Sequence, residues 1–390
     1  MAVLSKTFAL GAALLMQLAA AQQLVVSHFS GTVYALNYSD GNLTITDQNK
    51  QAGQRIPSWV TWDGKSRTAY VSDESWFGAR TGRFASYGLS EAGKLTVSGV
   101  ATTNGGDVAS GVYGGPGGNS FIGQAAYEAG TLTTWALPLE SSDTPIQSFQ
   151  YFMNAPGPNP ERQNKPHLHS VFTDPTGDFL LSNDLGADIT RVWSIASDTG
   201  RLTECPGIRA HTGGDGPRHS VFREADGVTY LYVINELGET VSGYVVTYPS
   251  SGCLSAQHFQ SISTFPENST KPANTKAAEV HIKGNFLYAS NRNDETFGKE
   301  RDSIAQYSIG ADGRLRFLGL ANAQGFFPRT YSISEDGTLV AIGGQTDAVV
   351  SIVERDTETG LIGDLLARIN VGQRGTYMGE DGLSAVTWAE

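Results

Sequence analysis

The chain has 390 residues, 39% hydrophobic and 17% charged, with 46 glycines spread along it. Its 39 Asp and Glu against 27 Lys and Arg give a formal net charge of -12. An acidic surface of this kind repels phosphate backbones and anionic headgroups, which excludes nucleic acid and membrane surfaces as partners. The length is ample for a large core, and closed β architectures of this size form one unit.

The first segment is a targeting sequence. Lys6 supplies a positive start, residues 8–18 are apolar, and Ala19, Ala20 and Ala21 are the small residues a signal peptidase needs. The apolar part is too short to cross a ~30 Å hydrocarbon core as a helix. The expectation is a signal peptide over residues 1–21, and a secreted, extracellular chain forming one domain over residues 22–390. Asn37, Asn42 and Asn268 head Asn-x-Ser/Thr sequons, expected glycosylation sites in a secreted protein. Cys205 and Cys253 are the two cysteines. They can pair in an oxidising compartment, although a chain this size does not need the staple.

From residue 24 onward the chain repeats. A hairpin pattern ending in a Gly turn before Leu or Ile starts at Gly31, Gly82, Gly130, Asp188, Glu239, Asp302 and Asp347, roughly one per 50 residues. It alternates with a turn-and-strand pattern seen in WDGKSRTAYVSDE (62–74), TDPTGDFLLSND (173–184), EADGVTYLYVINE (224–236), IKGNFLYASNR (282–292) and SEDGTLVAIGGQ (334–345). Two pairs of β-branched and aromatic strands per repeat make a four-stranded antiparallel unit with two uncovered faces. Radial packing covers them, so the prediction is all-β: a seven-bladed β-propeller of four-stranded blades. The chain opens inside a hairpin copy (24–43) and ends in a strand-like segment (385–388), so both termini are expected in one blade, closing the ring. The Gly-rich stretch 105–118 has no following Lys-Ser or Lys-Thr, so it is not a phosphate loop and reads as a turn-rich connector. Residues 156–166, rich in proline, read as a long irregular loop forming a lip over the mouth.

Propeller strands alternate in direction, so the residues before each first strand and after each second strand meet at one mouth of the channel. Counting back from the turn glycines places His169, His219 (beside Arg218) and Arg329 before first strands, with Glu279 equivalent in a shorter copy. After the second strands stand Asp73 and Glu74, Asp184, Glu236, Arg292 and Gln345. A scaffold needs only small or β-forming residues there, so a differing set of ionisable groups reads as a grafted site. Glu236 and His169 are candidate acid/base groups. Arg218, Arg292 and Arg329 are candidates to fork onto a carboxylate or oxyanion. His167, His219, Glu279, Asp184 and Gln345 are candidates for binding substrate. Arginines alternating with carboxylates would compete with a cation, so no metal is expected. No Gly-x-Ser-x-Gly elbow is present, which disfavours covalent hydrolase chemistry.

At these residues the chain resembles the seven-bladed propeller lactonases, a group that includes propeller-type 6-phosphogluconolactonases and carboxy-cis,cis-muconate lactonizing enzymes. The matching segments are PHLHS (166–170), GPRHSVF (216–222), YVINE (232–236), AAEVH (277–281), LYASNR (287–292) and FPRTYSISEDG (327–337). The resemblance implies an active site of one His, two Arg and one Glu, which fall on His169, Arg218, Glu236 and Arg292, working without metal or organic cofactor. With the leader sequence, it is closest in setting to extracellular aldonolactonases. The expected function is therefore a monomeric, secreted lactonase acting on a small-molecule sugar lactone. A lactonizing cycloisomerase, or a propeller that only binds carbohydrate or protein, stands as the alternative.

Overall fold

Each repeat turns on a residue that only glycine occupies without strain: Gly177 and Gly227 follow their Asp-led turns at φ of 76° and 75°. The alternating strands between such turns pair in order. In the computed structural model, which describes residues 22–75, 81–141, 144–250 and 252–390, they form seven four-stranded antiparallel sheets. The expected signal peptide, residues 1–21, lies outside the described residues. Among the described residues no helix is long and apolar enough to cross a membrane.

The blades are numbered here in chain order. Blade 1 is built from both ends: Leu383–Trp388 pairs with Gln22–His28, followed outward by Thr32–Ser39 and Asn42–Asn49. The innermost strands of blades 2 to 7 are Pro57–Asp63, Asp107–Tyr113, Phe172–Thr173, Pro217–Ala225, Lys276–Lys283 and Pro328–Ile333. A seven-bladed ring with both termini in one blade is what the repeat predicted. One element departs from expectation. Within the Gly-rich stretch 105–118, residues 107–113 form the innermost strand of blade 3, not a connector. Gly111 explains why glycine is used there, since a Cβ would lie 2.4 Å from the Val171 carbonyl oxygen of the next blade.

The core is divided by the same geometry. Among the described residues, seven apolar clusters form, each shared by two neighbouring blades. Tyr70, Phe84, Ile122 and Trp135, for example, join blades 2 and 3, while Leu24, Tyr34, Ile352 and Trp388 join blades 7 and 1. No blade owns a core, so none is expected to be stable alone.

A β-bulge recurs at the mouth end of the innermost strand. Pairing slips between Pro57 and Trp59, Asp107 and Ala109, Pro217 and His219, Ala277 and Val280, and Pro328 and Thr330. A bulge adds an unpaired residue and re-aims its side chain. Arg218, Glu279 and Arg329 occupy these positions. Blade 4 goes further: only Phe172–Thr173 pairs as a strand, and His169 sits on extended chain just before it, its N–H donated to the Asn183 carbonyl at 2.7 Å.

Cys205, on the outermost strand Arg201–Arg209 of blade 4, is disulfide-bonded to Cys253, which leads into the outermost strand Ser255–Ser263 of blade 5. The bridge spans 48 residues with Cα atoms 5.6 Å apart and ties two blades at the rim. Replacing both cysteines by serine is expected to cost about 2–4 kcal/mol of unfolding free energy. Denaturant titration of the double variant checks this, and the mouth of the channel should be undisturbed because the bridge lies on the outermost strands.

Candidate active site

Glu236 follows the second strand of blade 5 and is buried at the mouth of the channel. Three guanidinium groups converge on it. Arg162 Nη2 is 2.6 Å from Oε1, while Arg218 Nε and Arg292 Nη2 stand 3.0 and 2.9 Å from Oε2. Burial alone would raise this carboxyl, but Arg292, Arg162 and Arg218 outweigh it and hold it well below the usual carboxylate range. Arg218 and Arg292 are further fixed by donating to the backbone carbonyls of Ala278 (2.7 Å) and Ala277 (2.9 Å) of blade 6.

A second carboxyl stands in the same cavity under opposite conditions. Glu74, after the second strand of blade 2, pairs with Arg329 Nη2 at 3.1 Å. Here burial wins over the pull of Arg329, helped by the nearby Glu380, and the carboxyl is pushed up to about 8. Two carboxyl groups with contrasting protonation in one cavity are the arrangement acid/base chemistry needs.

The cavity has a volume of about 220 Å³, at the small end of ligand pockets. Its wall includes Glu74, Tyr127, Arg162, His169, Glu236 and Arg292, and Lys276, Phe327, Arg329, Met378 and Glu380 complete it. Phe327 has a φ of 63°, a strained conformation for a bulky residue. Its N–H is clamped at 2.7 Å by the Asp302 carboxylate of blade 6, and its ring lies 5.2 Å from the Arg292 guanidinium.

His169 is buried in the cavity wall. Burial, then Arg218 and His219, push its imidazole well below its ordinary value, so it is neutral at pH 7. Its Nδ1 lies 3.2 Å from His219 Nε2, and His219 Nδ1 lies 3.0 Å from Glu279 Oε1. His219 and Glu279 therefore do not line the mouth cavity. They line a second, more apolar chamber of about 170 Å³ bounded by Trp59, Val171, Phe172 and His281.

The four residues His169, Arg218, Glu236 and Arg292 are thus brought to one place, and Arg329 joins them. Arg218 differs in standing: it is buried behind Glu236 and is not part of the cavity wall. Three predicted substrate-binding residues are corrected. Asp184 is fully buried, and its carboxylate is occupied by the His167 and Ala187 N–H groups and by Arg191. His167 stacks on Tyr127 with centroids 4.1 Å apart, its ring nitrogens within hydrogen-bonding distance of Tyr127 O and Asn164 Oδ1. Gln345 donates to the Gly379 carbonyl at 2.7 Å and so holds the loop that carries Met378 and Glu380. None of the three faces the cavity; His167 packs on Tyr127 of its wall and Gln345 holds the loop beside it.

Sequence reasoning missed Arg162, Tyr127, Lys276 and Glu380, and named Glu74 without giving it a role. Tyr127 follows the second strand of blade 3, Phe121–Ala126, so the same slot rule applied to that blade finds it. Arg162 comes from the proline-rich loop 156–166, which does reach over the mouth. The loop is braced by Gln163, whose side chain donates to the Leu185 carbonyl at 3.0 Å. No repeat register marks an arginine on such a loop. Among the described residues, no group of three or more His, Cys, Asp or Glu is placed to hold a metal ion. The cavity offers an imidazole that burial keeps neutral, a carboxyl that burial pushes up to about 8 and fixed guanidinium donors, the parts needed to add water to an activated carbonyl.

Comparison with known proteins places the chain in a family. A protein of Arthroderma benhamiae named a probable 6-phosphogluconolactonase is 29% identical over 330 residues, covering 83% of this chain and 79% of that one. The 6-phosphogluconolactonase of Bacillus subtilis is 29% identical over 256 residues, 65% of this chain and 68% of that one. In fold, the periplasmic gluconolactonase of Pseudomonas aeruginosa superposes with a TM-score of 0.77 at 23% identity, over 91% of this chain and 98% of that one. The family model described as "Lactonase, 7-bladed beta-propeller" matches residues 23–377. With that match over nearly the whole described chain, the protein belongs to the seven-bladed β-propeller lactonase family.

Proposed function

We propose that this protein is a secreted lactonase that hydrolyses single-ring sugar lactones to aldonic acids without a metal. One observation carries the reading: the His169 imidazole, the Glu74 carboxyl and the Arg292 and Arg329 guanidinium groups share one cavity sized for a single ring, where burial favours the uncharged forms of His169 and Glu74. Water attacks the lactone carbonyl carbon as His169 takes its proton. The charge that develops on the carbonyl oxygen meets Arg292 and Arg329. The ring C–O bond breaks, and the leaving oxygen takes the Glu74 proton, which His169 then restores. Glu236 carries no proton in this scheme. Deeply ionised, it keeps Arg162, Arg218 and Arg292 in register. The leader sequence, the exposed sequon residues Asn42 and Asn268, and the disulfide support secretion; Asn37 is less accessible on its strand.

A second reading, an anionic lactone such as a phosphorylated one, draws on the cavity charge. Arg162, Lys276, Arg292 and Arg329 face it, against the carboxylates of Glu236 and Glu380. Of the relatives above, one is named a 6-phosphogluconolactonase and one a probable 6-phosphogluconolactonase.

In a pH-stat assay with chelator present, the protein is expected to release acid from glucono- or galactono-lactone above the spontaneous rate. The neutral sugars are expected to outpace 6-phosphogluconolactone, and the reverse order would establish the second reading. His169→Ala should lower kcat by ~10²-fold or more. If His169→Ala and Glu74→Gln both stay within a few-fold of the parent, the assignment is wrong.

The pH profile has a stated sign. Glu74 donates only while protonated, so kcat/KM should be level below its value of about 8 and fall as pH rises through it. The acid limb, set by protonation of His169, should lie below pH 6.5. Glu74→Gln should remove the alkaline limb after subtraction of spontaneous hydrolysis.

A further inference from the structure

Behind His169 a chain of buried polar contacts runs down the channel, and the proposed reaction has so far used only its first member. The ring of His219, on the innermost strand of blade 5, stands between His169 Nδ1 at 3.2 Å and Glu279 Oε1 of blade 6 at 3.0 Å. All three side chains are buried. The geometry points to His219 and Glu279 as positioning residues that fix the tautomer of His169, turning its Nε2 lone pair toward the cavity as the base. The inference rests on the lactonase reading above and deepens it.

The assignment follows by elimination along the chain. Glu279 Oε1 also accepts the Val280 N–H at 3.2 Å, and the group carries no proton at neutral pH. Burial would raise it, but the hydrogen bond from His219, with His281 and Arg218, prevails and lowers it. A carboxylate only accepts, so His219 Nδ1 must bear the hydrogen. His219 is itself lowered, chiefly by burial, and is neutral, so its Nε2 has a lone pair. That lone pair accepts only from a hydrogen on His169 Nδ1. A neutral His169 with its hydrogen on Nδ1 has its free lone pair on Nε2, the nitrogen left for the cavity that this residue lines.

The chain also answers an electrostatic problem. His169 faces Arg218 and Arg329, which oppose its taking a proton, and of nearby carboxylates Glu236 is already shared by three guanidiniums. When His169 accepts a proton from water, the new imidazolium is stabilised through His219 by Glu279, whose Oε2 is buried without a hydrogen-bond partner. His281, 3.7 Å from Glu279 Oε1, and Trp59, edge-on to His219 with centroids 5.0 Å apart, complete the surroundings of the pair. Tyr331 lies against His281 and stays protonated, raised by burial. The logic is that of a catalytic triad, with a second imidazole between the base and the carboxylate.

The test reads the tautomer directly, without substrate. In protein labelled with ¹⁵N at histidine, long-range ¹H–¹⁵N correlation near pH 7 should show His169, assigned by loss of its signals in His169→Gln, with its hydrogen on Nδ1. His219→Phe keeps a ring but removes both nitrogens. It should release His169 into mixed tautomers and lower kcat by ~10²-fold or more with KM little changed. Glu279→Gln retains an accepting oxygen but no charge, so it should keep the His169 tautomer, lose less rate than His219→Phe, and move the acid limb of the pH profile. Circular dichroism of each variant checks folding, and Glu279→Gln serves if His219→Phe does not fold. Finding the hydrogen of His169 on Nε2 in the parent, or an unchanged tautomer in His219→Phe, would overturn the relay. Failure of the parent to hydrolyse any lactone would instead overturn the reaction and leave the tautomer result standing on its own.

Discussion

The pairing of Gln22–His28 with Leu383–Trp388 is the constraint on which the rest depends. Seven sheets whose apolar faces are covered only by their neighbours hold together when the last meets the first, and closure comes from backbone hydrogen bonds between the two ends of the chain. Closure points every innermost strand at one axis. It brings Glu74 within 3.1 Å of Arg329 across 255 residues of sequence, and places Glu236 of blade 5 beside Arg292 of blade 6. The cavity is thus a property of the closed ring, and loosening any blade junction would be felt there.

Within that ring, electrostatics divide the labour. Glu236 and Glu74 are both buried carboxyls beside arginine, yet they end in opposite states because three guanidiniums serve the first, while the arginine of the second is shared with Glu380. Burying such a cluster is costly, and removing one partner of a buried pair typically costs about 3–5 kcal/mol by stranding the other. The cost is offset by a site that need not reorganise when charge develops during reaction. Asp302 serves the same end through the backbone, holding Phe327 in a conformation it would not choose alone.

Much of this was legible in the sequence because a propeller writes its geometry as a repeat. The strand count, the shared terminal blade and the convergence of His169, Glu236 and Arg292 follow from period and register. What was not legible breaks the register. Residues 107–113 read as a connector because they lie in a Gly-rich stretch, and Gly111, needed for close packing against Val171, looks like a turn residue. His219 and Glu279 line the second chamber, and depth along the channel leaves no mark in the hydrophobic pattern. Asp184 occupies the slot equivalent to Glu236, but the Arg191 that neutralises it comes from the next strand of its own blade. Arg162 arrives on a loop outside the repeat. The protonation of Glu74 depends on burial, which no residue type discloses.

The most direct measurement is a crystal structure of the protein with an aldonic acid product bound. The carboxylate is expected between Arg292 and Arg329, with the freed hydroxyl near Glu74. Product seated instead in the chamber beside Trp59 and His281, or on the outer strands, would contradict the assignment of the mouth cavity as the place of reaction.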